Sequence, residues 1–281
     1  MPGGDGTIWS PKNFDHKYSG PTRFRTALTK SKNTVSIRIL QAIGTQYARD
    51  YITRFGFSPE QHPPYLTMAL GAGSVTPFQM VSAYAVFANG GFRVKPYYVE
   101  RVTDSRGTVL AQANPVHAGQ NAEQVIDPRN AFLMTSMMQD VVRHGTAIRA
   151  MQLGRNDLAG KTGTTNDQVD AWFCGFNRSL VAVAWIGFDQ PRSLGGAETG
   201  AQAALPIWMS YMGKALKGVP ETPLVPPDGI VTVRINPQTG QREADGMPEY
   251  FYKENQPAES TGWGEDAGTG GAVDDAKNQI F

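Results

Sequence analysis

The chain has 281 residues, 40% of them apolar and 18% charged, with a formal net charge of +1. That balance fits one large or two modest globular domains and offers no basic stripe of the kind that nucleic-acid binding requires. One cysteine and four scattered histidines (His16, His62, His117 and His144) exclude an internal disulfide and zinc-ligand spacing, so neither a structural metal nor a metal cofactor is expected.

Residues 1–20 are rich in Gly, Pro, Asn and Asp and read as loop. A helix is expected from Pro21 to Lys30, with proline at its first position. A second is expected from Thr34 to Phe55, where Val35, Ile39, Ile43, Tyr47 and Ile52 recur near helical spacing and Gly56 and Pro59 stop the pattern. The basic cluster Arg23, Arg25, Lys30 and Lys32 reads as a solvated face. A third helix spans Pro77 to Ala88, capped by Thr76 and ended by Asn89-Gly90-Gly91. A β-hairpin turns at Ser105-Arg106-Gly107, and residues 128–151 are helical with a break at Gly145.

Three strands follow, over 157–165, 169–177 and 180–188. Their short connections predict an antiparallel meander. The run LVAVAWIGF is nearly all apolar, the pattern of a strand covered on both faces. The lone Cys174 falls in this apolar region and reads as packing. A helix over ALPIWMSYMGKAL closes the sheet. Beyond Gly218 the chain is Pro-rich, with a short hairpin around 236–240. Residues 259–281 are acidic and Gly-rich and expected to be disordered. The division is thus 1–218, a Pro-rich extension over 219–258, and a tail. No apolar run reaches the roughly 18 residues of a membrane-spanning helix, and the start MPGGDGTIWSP lacks the basic and apolar regions of a signal peptide.

Lys161-Thr162-Gly163-Thr164 opens the first of the three strands. Strand alternation puts both threonines on one face, where two hydroxyls can grip a carboxylate. Gly163 leaves room for a close approach. Lys161 supplies positive charge, and a free strand edge can pair with an extended peptide. As a bare tripeptide K-T-G is weak, and a strand entry with a surface lysine would explain it equally. Upstream, Ser31-Lys32-Asn33 sits between two helices. Ser31 could relay a proton, and Asn33 could donate its amide to a carbonyl. Ordinary helix capping by either residue is the alternative.

These motifs, with WSPKNFDHKYSGPTRFRTALTKSKNT, ALGAGSVTPFQMVSAYAVFANGG and AGKTGTTNDQVDAWFCGF, resemble the penicillin-binding proteins and serine β-lactamases, whose catalytic set includes S-x-N and K-T-G. The likeness is to the transpeptidase domain of class A bifunctional penicillin-binding proteins of the 1A type, over Asp5 to Gln256. It implies an α+β fold in which helices flank an antiparallel sheet. It also implies a serine acyl-enzyme that cross-links peptidoglycan stem peptides and is trapped by β-lactams. Ser31 would then pass a proton to the leaving amine. Asn33 would orient the nucleophile's lysine and the acyl amide. Thr162 and Thr164, helped by Lys161, would hold the terminal carboxylate, and the Thr164 N–H would face the oxyanion. No organic or metal cofactor is implied, and the site would lie on the periplasmic face of the cytoplasmic membrane.

One departure bears on activity. The family's S-x-x-K motif carries the nucleophile, and no serine here has lysine three positions later. The expectation is a C-terminal portion of a larger protein, its fold incomplete on the N-terminal side and its nucleophile in the missing N-terminal portion. The apolar strand at 180–188 would then lack a partner and form an exposed edge. A β-lactamase-like hydrolase and a non-catalytic stem-peptide-binding module are the alternatives.

Overall fold

The computed structural model describes residues 10–258. Its first part is helical: α1 (Phe24–Thr29), α2 (Asn33–Ile43), α3 (Thr45–Tyr51) and α4 (Pro77–Ala88). Short strands β1 (Phe92–Arg93), β2 (Arg101–Thr103), β3 (Val109–Gln112) and β4 (Glu123–Gln124) make two small ladders, β1 with β4 and β2 with β3. Helix α5 (Pro128–His144) leads into β5 (Ala159–Thr164), β6 (Ala171–Phe176) and β7 (Val181–Ile186). Then come α6 (Leu205–Ala215) and the hairpin β8 (Ile230–Ile235) with β9 (Met247–Tyr252).

Helix α4 has the expected bounds because its signals are local. Thr76 accepts from the Gln79 N–H, Gln79 returns a bond to the Thr76 N–H, and Pro77 begins the helix. Two other helices depart from expectation. The first begins at Phe24 rather than Pro21, because Gly20 at φ 67° and Pro21 form a bend before it. The long helix over 34–55 is three pieces: Gly44, at φ 91° and ψ 137°, ends α2, and a 3-10 turn over Ile52–Phe55 follows α3. A backbone in that region is open to glycine and breaks helical periodicity whatever the apolar spacing suggests.

Strands β5, β6 and β7 form an antiparallel meander in that order, with Lys161 paired to Cys174 and Thr162 to Phe173. Residues three apart on β6 mark its two faces. Phe173 meets Trp208 of α6 edge-on at 4.9 Å, and Phe176 meets Tyr84 of α4 at 6.2 Å. The main core lies on the α6 face, where Phe173, Leu205, Trp208 and Met212 are fully buried with Val141 and Val142 of α5. Cys174 is buried, as a packing residue would be. Strand β7 is not covered on both faces: only Ala184 is buried, Trp185 is 38% exposed, and β7 is an outer strand of its sheet among the described residues.

The C-terminal hairpin packs back on α1 and α5, with Tyr250 against Phe132 at 4.9 Å. Its connecting segment is longer than a tight turn at 236–240. Asn236 Oδ1 accepts from the Gln238 and Thr239 N–H groups, and β9 begins only at Met247. This hairpin overturns the solvated-face reading of the basic cluster. Glu249 accepts from Arg23 at 2.8 Å and from Arg25 at 2.7 Å, and Arg25 also reaches Asp140 at 2.8 Å and Ser136 at 3.1 Å. Lys32 pairs with Asp15 at 2.6 Å, and Lys30 donates to the His144 carbonyl. Residues 259–281, read as a disordered tail, lie outside the described residues.

Candidate active site

Ser31 owes its position to the way α1 ends. The Lys32 N–H bonds the Ala27 carbonyl, and the Ser31 N–H bonds the Leu28 carbonyl. These are the two bonds of a Schellman C-cap, which places Ser31 in the left-handed position usually held by glycine. Ser31 takes φ 54° there. The left-handed conformation costs a non-glycine residue about 1–2 kcal/mol. The hydroxyl is thereby aimed at β5: Lys161 Nζ donates to Ser31 Oγ at 2.7 Å and to its neighbour's carbonyl, Thr162 O, at 3.1 Å.

Burial disfavours the lysine's charge and brings Lys161 down to about 8. Burial pushes its cross-strand neighbour Cys174 up to about 12, against the downward pull of the Lys161 charge. An amine poised near neutrality beside a hydroxyl can exchange a proton with it, the property a relay needs.

The two threonines are held from behind. Thr162 Oγ1 lies 2.7 Å from Thr146 Oγ1, in the turn after α5. Thr164 Oγ1 accepts from the Gly200 N–H at 3.0 Å. Lys161, Thr162, Gly163 and Thr164 all line a cleft of about 570 Å³, together with Tyr84 and Met68. Gly163 lies in a close approach: a Cβ there would sit 3.2 Å from that of Trp172, and the Gly163 carbonyl lies where a side chain on Gly200 would go.

Asn33 does not join this cluster. It is the first residue of α2 and donates to the Lys12 carbonyl at 3.0 Å. Neither Ser31 nor Asn33 caps α2 with its side chain; Asn13 accepts from the Thr34 N–H instead. Sequence reasoning missed Thr146, Gly200 and Asn13. Gly145-Thr146 did carry a signal in the predicted helix break, but nothing local pointed its hydroxyl at β5. Among the described residues no group of His, Cys, Asp and Glu could hold a metal ion, and no helix is long and apolar enough to cross a membrane.

Residues 2–186 match the family described as the penicillin binding protein transpeptidase domain. Penicillin-binding protein 1A of Neisseria lactamica is 52% identical over 253 residues, which is 90% of this chain and 30% of that protein. The chain thus spans about a third of the length of the curated relatives it matches. Among solved structures, penicillin-binding protein 1A from Haemophilus influenzae superposes with a TM-score of 0.88 at 36% identity, covering 92% of this chain and 44% of the other. PonA1 from Mycobacterium tuberculosis in complex with penicillin V gives 0.63 at 27% identity, covering 76% and 61%. The antiparallel sheet, the helices on its two faces and these matches agree, and the chain belongs to the penicillin-binding protein transpeptidase family, among relatives of the 1A type.

Proposed function

We propose that this chain is the carboxylate-gripping and proton-relay part of a peptidoglycan D,D-transpeptidase. The observation that carries the reading is the 2.7 Å contact between Lys161, which lines the cleft, and Ser31, the serine of the S-x-N motif. Thr162 and Thr164 receive the terminal carboxylate of a D-alanyl-D-alanine stem peptide, or the carboxylate of a β-lactam. Lys161 adds charge, and the Ser31 hydroxyl carries the proton toward the leaving amine. Asn33 acts on the acyl amide after turning from its present bond to the Lys12 carbonyl.

The acylated serine and its lysine come from an S-x-x-K segment outside these 281 residues, since no serine here has that spacing. Nucleophile and base act as a unit, so this chain by itself does not form the acyl-enzyme. The complete protein works on the periplasmic side of the membrane, and residues 219–258 are an extension that clasps the transpeptidase body.

Intact mass after incubation with a penicillin tests this reading. No adduct is expected on this chain, while a complete relative acylates under the same conditions. A stoichiometric adduct would place a nucleophile inside these residues and overturn it.

A further inference from the structure

Each threonine of the K-T-G-T strand is touched from behind by an element outside the motif. For Thr164 the polarity of that contact is fixed: Gly200 offers an N–H, so Thr164 Oγ1 is the acceptor and its own proton is free. Gly200 is buried and opens the π-type turn Gly200–Ala204 that leads into α6. A Cβ on it would fall 2.3 Å from Trp172 O and 2.4 Å from Gly163 O, so the close seat that makes this bond requires glycine.

For Thr162 the contact is hydroxyl to hydroxyl, and either could donate. The outcome matters because a hydroxyl has one proton. If Thr162 donates to Thr146, it faces the cleft with lone pairs and repels an anion. If Thr146 donates, Thr162 faces the cleft with its proton. Neither hydroxyl has another side-chain partner among the described residues, so an anion in the cleft decides between the two. Thr146 lies outside the cleft lining, whereas Thr162 lies in it.

The seat of Thr146 is built rather than incidental. A Cβ on Gly145 would fall 2.4 Å from the Thr29 carbonyl, and the Thr146 N–H bonds that same carbonyl at 3.3 Å. Lys30 holds the neighbouring His144 carbonyl at 2.8 Å. The end of α5 is thus pinned to the end of α1, next to Ser31, with the Thr146 hydroxyl against β5.

We propose that Thr146 is a positioning residue for anion binding: its hydroxyl donates to Thr162 Oγ1 as the Gly200 N–H donates to Thr164 Oγ1, so both K-T-G-T hydroxyls present their protons to a ligand carboxylate. A hydroxyl that accepts one hydrogen bond is a stronger donor in the next, so the arrangement also polarises the grip. The inference rests on the carboxylate-binding role given above to Thr162 and Thr164.

The test is an NMR titration of the full 281-residue chain with N-acetyl-D-alanyl-D-alanine and with its C-terminal amide. Thr146→Val is expected to weaken the carboxylate peptide about fivefold, the scale of one neutral hydroxyl hydrogen bond, and to leave the amide unchanged. Thr146→Ser, which keeps the hydroxyl, is expected to restore binding to within about twofold. In a Thr162→Val background, Thr146→Val is expected to add nothing. Equal weakening of both peptides, an unchanged affinity in Thr146→Val, or an added loss in the Thr162→Val background would each overturn the inference. If the unaltered chain shows no saturable binding of the carboxylate peptide, the carboxylate-gripping reading itself fails. Should Thr146→Val not fold, Thr146→Ser against Thr146→Ala gives the same contrast with a smaller change of shape.

Discussion

Lys161 Nζ sits 2.7 Å from Ser31 Oγ, although 130 residues separate them in the chain. One helix end and one strand create that distance: a left-handed cap that finishes α1 and the central part of the outer strand β5. The lysine enters this contact with its charge partly stripped of water, and that has a consequence for stability.

Lys161 is lowered from an ordinary value of 10.5 to about 8 in the folded chain. Between those values the unfolded chain holds the proton and the folded chain does not, so stability rises with pH across that window. Below it, both states carry the charge and the burial penalty is constant. Urea denaturation of the wild type and Lys161→Met between pH 7 and 10 checks this. The wild type is expected to gain on the variant as pH rises above 8, and a constant difference would contradict it.

Glu249 binds two arginines in a site that leaves its side chain 11% exposed. Glu249→Gln would leave the desolvated Arg23 with a poorer partner and Arg25 with Asp140 as its one ion pair. Breaking a buried pair in this way typically costs about 3–5 kcal/mol. The expected result is a urea midpoint lowered with an unchanged slope, and a loss under about 1 kcal/mol would show the pair to behave as a surface one.

Gly200→Ala would drive a methyl into the Trp172 and Gly163 carbonyls at 2.3 and 2.4 Å. Overpacking against backbone costs roughly 1–3 kcal/mol. Hydrogen exchange is expected to quicken over β5, with the hairpin of β2 and β3 unaffected as an internal control. Unchanged exchange in β5 would mean that the π-type turn gives way instead.

Strand β7 leaves one row of backbone groups without a strand partner among the described residues, and Trp185 stands beside it. Such an edge templates self-association. Sedimentation of the wild type is expected to show concentration-dependent association that Trp185→Lys reduces, with the new amine still able to meet Asp170, the present partner of the indole N–H. A strictly monomeric wild type would count against an open edge in solution.

The parts of this fold that were legible in sequence are those decided within a few residues. The Thr76–Gln79 capping box set α4, and short turns set the meander of β5, β6 and β7. Gly44 was legible only as a residue, because apolar spacing continues across it while its positive φ ends the helix. The K-T-G and S-x-N motifs identified Ser31 and Lys161, which meet, but could not say that Asn33 would turn to the Lys12 carbonyl. Arg23 and Arg25 looked like solvated charge because their partner Glu249 lies more than 220 residues away. Thr146 was hidden for a similar reason: its meaning comes from Thr162, and only the packing of α5 on β5 brings them together.

The clasp between α1 and the C-terminal hairpin also sets an order of events on the ribosome. Arg25 precedes Glu249 by 224 residues. At the usual ~5–20 residues per second of synthesis, the anchor for the helix that ends in Ser31 is translated roughly 10–45 s after the helix itself. Until then Arg23 lacks its acidic partner, while Arg25 already has Asp140 and the end of α5 already holds the residues next to Ser31. The contact with Glu249 is therefore the last tie on the helix before Ser31 to close during biogenesis.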